Sequence, residues 1–389
     1  MAAGAGVGAA VGSGSGHSAS TKSVPAKSGT HLQARLTNAV TVSPANGTTA
    51  VAPGSPVMVV AGRGKIVSVE VTSATGQSLP GFEDSTHTRW ISTQPTAPSS
   101  SYQVRTTVAS SSGQTATTTS GFSTVTATGV VGATLWPSTG LRVGIGQPIV
   151  VKFDQPITDP TAQQSVLSHL HVSLSTPVAL GAHWFSDTEL HLRPQTYWPS
   201  GEQISVSANL DGWNAGGGMW GEGTQSAQFS IGDARISTAN LATHEMTVTQ
   251  NGQTVATYPI SGGSDQYPTM NGIHIVLDRQ SVVDMNSATV GIPAGSPGSY
   301  NETVYWDVHV SDSGEYVHAA PWSVGSQGNT NVSHGCINLS PTNAEQYFNF
   351  SRVGDLVMVV GGPRPPVTGD HGVMDWDTDW SQWTPFTAS

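Results

Sequence analysis

With a single cysteine among 389 residues, the chain can form no internal disulfide, and its redox compartment cannot be read from bridges. Charge is also scarce: 10% of residues are charged, against about 25% in an average protein. The 14 Lys and Arg are outnumbered by 25 Asp and Glu, a formal net charge of −11. That balance disfavours phosphate-backbone binding and polybasic docking on membranes, and no nucleic acid partner is expected. No run of 18 strongly apolar residues occurs, so no transmembrane helix is evident. The first 21 residues carry no formal charge and lack both a basic start and a Leu-rich stretch, so they make no convincing signal peptide. They read as a flexible stalk, or as the remnant of a signal or membrane anchor that starts further upstream. Long uninterrupted helical segments are missing too, because 45 glycines and 24 prolines punctuate the chain, and this argues against helical bundles and coiled coils. What remains, 37% hydrophobic residues with 11 tryptophans, suffices to fold. The length argues for two to four domains.

Past a low-complexity leader and linker at residues 1–35, short alternating segments are separated by Gly, Pro, Asn and Ser clusters every 8 to 12 residues, a β-rich signature. Val67, Val69 and Val71 alternate with polar neighbours, as do Ile149, Val151 and Phe153, so each segment is expected to bury one face. Pro44, Gly47, Gly54 and Pro56 align with Pro137, Gly140, Gly146 and Pro148, which suggests two similar units of immunoglobulin-like size at 36–126 and 127–232. No cysteine pair bridges either. Trp213, Met219 and Trp220, set among glycines, are expected to pack at a domain seam. From 233 to 363 a third β-rich domain follows, in which Asn251-Gly252 suits a type I′ hairpin turn. Its one clear helix has Ser340 as cap, Pro341 at the first position, and Ala344, Tyr347 and Phe348 on one face. The fold class is thus mainly β: two sandwiches, a β-rich third domain with one or two short helices, and a Trp-rich tail at 364–389.

The lone cysteine lies in Ser333-His334-Gly335-Cys336-Ile337-Asn338, within a loop rich in Asn, Ser and Gly that is poor core material. His318 precedes it by 18 positions. A thiol nucleophile needs a base that removes its proton, and imidazole has the right basicity. Gly335 permits a tight path by which the amides of the loop could converge on a developing oxyanion.

His318, a gap of 14 residues and then Ser-His-Gly-Cys-Ile-Asn resembles the signature of the L,D-transpeptidase (YkuD-type) catalytic domain. The text HAAPWSVGSQGNTNVSHGCINLSPTNAEQYF is similar to the actinobacterial branch, which carries immunoglobulin-like domains ahead of the catalytic one. The resemblance implies a peptidoglycan enzyme that needs no cofactor. Cys336 would attack a tetrapeptide donor stem, release D-Ala and hold the rest as a thioester. His318 would act as base, oriented by the backbone carbonyl of Ala319. The amine of an acceptor stem would then complete a 3→3 cross-link. Ser333, His334 and Gly335 would shape the pocket, with the amides of His334, Gly335 and Cys336 and the hydroxyl of Tyr300 facing the oxyanion. Met285, Trp322 and Asn338 would contact substrate under a lid at about 281–304, in which Val290 replaces a tyrosine of some relatives. Carbapenems would acylate such an enzyme. The implied setting is extracytoplasmic, at the cell envelope, with the protein secreted or membrane-anchored and monomeric, and stem peptides as its partners.

Other readings compete. His318, His334 and Cys336 could ligate zinc, but the motif contains no acidic general base, and no metal is expected. The tandem sandwiches alone would suit a non-catalytic wall-binding or adhesion module, which leaves the His-to-Cys loop unexplained. Asp375, Asp377 and Asp379 imitate the start of a calcium loop, yet Trp380 and Phe386 stand where its glycine and glutamate belong. Trp376, Trp380 and Trp383 fall at helical spacing and are expected to dock the tail between the second sandwich and the third domain, with sugar stacking on their rings as the functional alternative.

Overall fold

The computed structural model describes residues 27–388. Most of the Ala/Gly/Ser leader therefore lies outside the described residues. The chain divides into two compact units, one ending at Ser123, the other comprising the remainder together with Ala50–Ser55 and Pro95–Ser100.

The first unit is a two-sheet sandwich. One sheet has the order Val40–Ser43, Met58–Ala61, Arg89–Ser92, Gly81–Glu83; the other has Lys65–Ser73, Ser101–Ala109, Thr115–Ser123. Alternation places Tyr102, Val104 and Val108 inward, and Tyr102 stacks on Phe122 at 5.2 Å. In the neighbouring strand the expected Val67/Val69/Val71 face is broken. A bulge between Ile66 and Ser68 shifts the register, so Ile66 turns into the core at 4% exposure and Val67 turns out at 56%. A helix, Lys27–Thr37, packs Leu36 against this sheet, in part of the stretch that reads as leader in the sequence.

The second unit holds another sandwich and the third domain. Its five-stranded sheet runs Thr384–Phe386, Leu180–Ser186, Glu189–Pro194, Ile149–Phe153, Ala133–Trp136, facing a sheet of Arg142–Val143, Thr224–Ile231, Gln203–Asn209 and Leu170–Leu174. Ile149, Val151 and Phe153 are all buried, as their alternation predicts. Trp213 belongs to this sandwich's own core: its indole N–H donates to Ser165 Oγ and its ring lies 5.8 Å from Phe153. Gly47 and Gly140, aligned in the internal repeat, both adopt left-handed φ angles, 79° and 87°.

The third domain pairs a five-stranded sheet (Gln253–Pro259, Glu245–Gln250, Arg235–Asn240, Leu356–Val360, Gly272–Ile275) with a four-stranded one (Asp278–Asn286, Asn301–Ser311, Glu315–Ala319, Ile337–Leu339). The predicted hairpin turn has φ of 50° at Asn251 and 78° at Gly252. The helix Pro341–Phe350 is capped by Ser340, whose Oγ accepts from the Asn343 amide, and it buries Ala344 and Tyr347 in the core.

The tail fixes this domain to the second sandwich. Thr384–Phe386 adds a strand beside Leu180–Ser186, and the Trp376 indole donates to Gly146 O at 2.8 Å. The tryptophans do not share one helix: Met374–Asp377 and the 3-10 turn Trp380–Gln382 are separate, broken at Thr378 and Asp379, where Asp379 caps the second turn through the Ser381 amide. Their rings instead surround the Arg193 guanidinium, with centroids 4.4, 5.1 and 4.2 Å away for Trp376, Trp380 and Trp383. Each tail aspartate has its own protein partner. Asp375 receives His191, Asp377 receives the Ile273 amide, and Asp379 caps its turn. At the same seam a Cβ on Gly144 would lie 2.1 Å from the Asp355 nitrogen, so only glycine permits this approach.

Candidate active site

The site is built where two parallel strands of the four-stranded sheet end. Glu315–Ala319 carries His318, and Ile337–Leu339 follows Cys336; His318 pairs in register with Asn338. Hydrophobic alternation anchors both strands, with Val317, Ile337 and Leu339 buried. The loop between them is held from outside: the Ser333 amide donates to Gly262 O, and the Ser264 amide to Ser333 O, both at 2.9 Å. Within it, Ser333 Oγ donates to Cys336 O at 2.5 Å and accepts from the Gly335 amide at 3.1 Å. Gly335 has φ of 128°, a conformation that side chains disfavour.

This staple alters one expectation. The Gly335 amide is engaged by Ser333 and is not aimed at an oxyanion, so of the three amides named above only those of His334 and Cys336 are left for that role.

A cleft of 260 Å³ is lined by Met285, Tyr300, His318, Trp322, Ser333, His334, Cys336 and Asn338, together with Glu302, Val304 and Val332. Every predicted site residue except Gly335 and Ala319, for which only backbone roles are expected, thus meets in one place. His318 Nδ1–H donates to the Ala319 carbonyl at 3.0 Å, so a neutral imidazole carries its proton on Nδ1 and leaves Nε2 basic. The His334 ring lies between Tyr267 and Tyr300, at 4.7 and 5.1 Å. Asn338 donates to Ser323 Oγ, while its Oδ1 is buried without a partner among the described residues.

Burial sets the electrostatics. It pushes the Cys336 thiol up to about 12, although the Tyr316 amide pulls the other way, and it drives His318 down to about 4 against the Ala319 carbonyl. The resting pair is therefore neutral thiol and neutral imidazole. The thiol points at Gly314 O, 3.8 Å away. Burial also raises Tyr300 to about 12, so its hydroxyl keeps its proton and remains a donor.

The stretch expected to form a lid is a hairpin of Asp278–Asn286 and Asn301–Ser311, crossed by the 3-10 turn Ser287–Val290. Ser287 and Tyr300 exchange hydrogen bonds, N to O at 3.0 Å and N to Oγ at 3.1 Å, which fixes Tyr300 over the cleft. Val290 abuts Gly314: a Cβ there would lie 2.6 Å from its Cγ1.

Sequence reasoning missed Tyr267, Tyr316 and Glu315. The Glu315 carboxylate is buried under the loop, accepting from the Met270 amide at 2.9 Å and Arg364 at 2.7 Å, and burial lifts it to about 7. A charged residue at an inward position of an otherwise apolar strand was the available signal.

A model of the L,D-transpeptidase catalytic domain matches residues 234–359, and one of a bacterial Ig domain matches residues 48–214. L,D-transpeptidase 2 of Mycobacterium tuberculosis is 35% identical over 96% of this chain and 91% of its own length. The chain belongs to the L,D-transpeptidase family. L,D-transpeptidase 5 of the same species is 32% identical over 90% of this chain and 77% of its own length. Among solved structures, an L,D-transpeptidase from Mycobacterium smegmatis is 36% identical, covering 59% of this chain and 99% of that one, with a TM-score of 0.50. A second, an L,D-transpeptidase in complex with imipenem, has 36% identity, the same coverage and a TM-score of 0.53. The protein is thus an enzyme of this family with immunoglobulin-like and catalytic domains, which sets aside the non-catalytic wall-binding reading.

Proposed function

We propose that this L,D-transpeptidase forms 3→3 cross-links in peptidoglycan through a Cys336 thioester. His318 Nε2 takes the thiol proton as sulfur attacks the donor carbonyl, and the oxyanion is met by the amides of His334 and Cys336 and by the Tyr300 hydroxyl. Collapse of this intermediate breaks the peptide bond, and His318 returns the proton to the departing D-Ala amine. The acceptor amine then attacks the thioester, giving its proton to the same imidazole, and the thiol is regenerated. Met285, Trp322 and Asn338 contact the stems in this reading, and the unpartnered Asn338 Oδ1 is an acceptor for a donor-stem amide.

The observation that carries it is the coupling of His318 to the Ala319 carbonyl on the strand next to Cys336, within one cleft. The imipenem complex of a relative supports carbapenem acylation of Cys336 here. Such a substrate implies extracytoplasmic action. Among the described residues no helix is long and apolar enough to cross a membrane. We assign the leader to residues 1–35, the sandwiches to 36–126 and 127–232, the catalytic domain to 233–363 and a docking tail to 364–389, and we take the monomer as the working form.

The test is D-Ala release from a tetrapeptide by C336A and H318A, with mass spectrometry of the protein after imipenem. Both variants should lose turnover by at least about 10³-fold, and C336A should gain no adduct. Retained turnover in both would end the assignment.

A further inference from the structure

The net charge of −11 averages two opposite segments. Seven of the 14 Lys and Arg but only three of the 25 Asp and Glu lie in residues 1–123, so this stretch carries +4 and the rest −15. Within the first sandwich the cations are concentrated. Arg35, Arg63 and Lys65 surround a hollow of 560 Å³ whose floor is Leu32, Leu36 and Ala109, with Ser110 and Ser111 completing its wall. All three cations are exposed, and among the described residues none forms an ion pair. Among the described residues no acid lines the hollow. Of the three acids in the segment, Glu70 stands opposite Arg105 in strand register, Glu83 contacts His87 and Asp84 accepts from the Thr88 and Arg89 amides.

The hollow is a built feature. Gly64 at its edge has φ of 75°, and a Cβ there would lie 2.3 Å from Ala109 O and 3.1 Å from Leu36 Cδ2, so helix Lys27–Thr37 closes directly on the strand turn that carries two of the cations. Beside Lys65, the bulge described above presents Val67 to solvent at 56% exposure.

From these features we infer that the Arg35/Arg63/Lys65 hollow of the first sandwich docks on an anionic phospholipid bilayer. Three uncompensated cations beside the half-buried Leu32 and the exposed Val67 match a surface with anionic headgroups outside and hydrocarbon beneath; a soluble polyanion would use the cations but not Leu32 or Val67. Net charge alone argues against membrane docking, but the force on a surface acts within a Debye length, about 10 Å at 0.1 M salt, so local charge decides.

The test is flotation of the full chain with vesicles of phosphatidylcholine alone or mixed with phosphatidylglycerol, at low and high salt. Each surface-proximal cation is worth roughly fivefold in binding, so R35Q/R63Q/K65Q should bind the mixed vesicles on the order of 100-fold more weakly than the parent. R89Q/R105Q, which removes two cations of the same segment outside the hollow, should stay within about threefold of the parent, the short reach of screened charge being the reason. Melting curves check that these exposed substitutions leave folding intact. Equal binding to both vesicle types, an unchanged triple variant, equal losses in the two variants, or preference for a soluble phosphodiester polymer over vesicles would each overturn the inference. D-Ala release by the triple variant should equal the parent's, so the outcome is independent of the catalytic reading.

Discussion

His191 offers a direct test of how the catalytic domain is held to the second sandwich. Its ring is 2% exposed, with Nδ1 2.7 Å from Asp375 of the tail and Nε2 2.8 Å from Glu189 of the same strand. Burial alone would strip its proton, but Asp375 and then Glu189 outweigh burial and hold it up at about 9. Because the folded value lies above the unfolded one of 6.5, the stabilisation is fully present below about 6.5 and is lost as pH rises through about 9. Linkage gives about 3 kcal/mol at pH 6, about 2 kcal/mol at pH 7.5 and almost nothing by pH 10. Asp307, Glu315 and Asp355, lifted by burial to about 7, titrate at the lower edge of this window, but they do so in parent and variant alike and cancel in the difference between the two. The perturbation is H191Q, which keeps a polar side chain but cannot carry the charge. Calorimetric melting of parent and variant between pH 6 and 10 should show a gap that is widest at pH 6 and closes by pH 10. A gap that is constant, or that widens with pH, would refute the charged-imidazole account.

Three further outcomes follow from the geometry. Because Cys336 sits near 12 and His318 near 4, thiolate absorbance should be absent between pH 6 and 9, and iodoacetamide alkylation should rise about tenfold per pH unit without a plateau. A plateau below pH 8 would instead reveal a preformed ion pair. G335A forces a side chain into φ of 128°, where the nearest neighbour of its Cβ, Glu315, is still 3.6 Å away; backbone strain of about 1–3 kcal/mol should move the loop, lowering D-Ala release by about 10²-fold with only a modest fall in melting temperature. W383A removes a ring that is 4% exposed, stacks on Trp380 at 6.0 Å and covers Arg193, so it should destabilise the chain by about 3–5 kcal/mol, read as an earlier, separate melting step of the catalytic domain.

The β architecture was legible because alternation and turn chemistry are local. Asn251-Gly252 could form its turn from two residues alone, and Ser340-Pro341 could start its helix likewise. The Val67 face failed for the complementary reason: a bulge is chosen by pairing with the strand Ser101–Ala109, about 40 residues on, and nothing in Lys65–Ser73 announces it. The tail failed in the same way. Helical spacing of its tryptophans described the rings' neighbourhood along the chain, whereas their arrangement is set by one guanidinium nearly 190 residues earlier. In the site, the His and Cys were readable because their chemistry is rare and their spacing specific. Tyr267 and Glu315 were not, since their roles arise only when the segment before Met270 folds against the loop.

In the proposed mechanism, the loop's hydrogen bonds also bear on why the nucleophile would rest unarmed. An exposed thiolate would be open to oxidation and adventitious alkylation, and both hazards scale with thiolate population. Here Cys336 is 8% exposed, its proton directed at Gly314 O, and burial keeps the imidazole neutral as well. Proton transfer inside so dry a site becomes favourable only when the charge has somewhere to go, and that place is the oxyanion created by a bound carbonyl. Tyr300 is tied to this hairpin through Ser287, so the donor proposed to complete this hole is carried by the element proposed to cover the substrate. Val290 belongs to the same turn and lies beside Gly314, the residue whose carbonyl accepts the thiol hydrogen bond. In the proposed mechanism, Val290 and Gly314 would therefore link the position of this hairpin to the orientation of the thiol, and substrate filling the cleft would arm the sulfur.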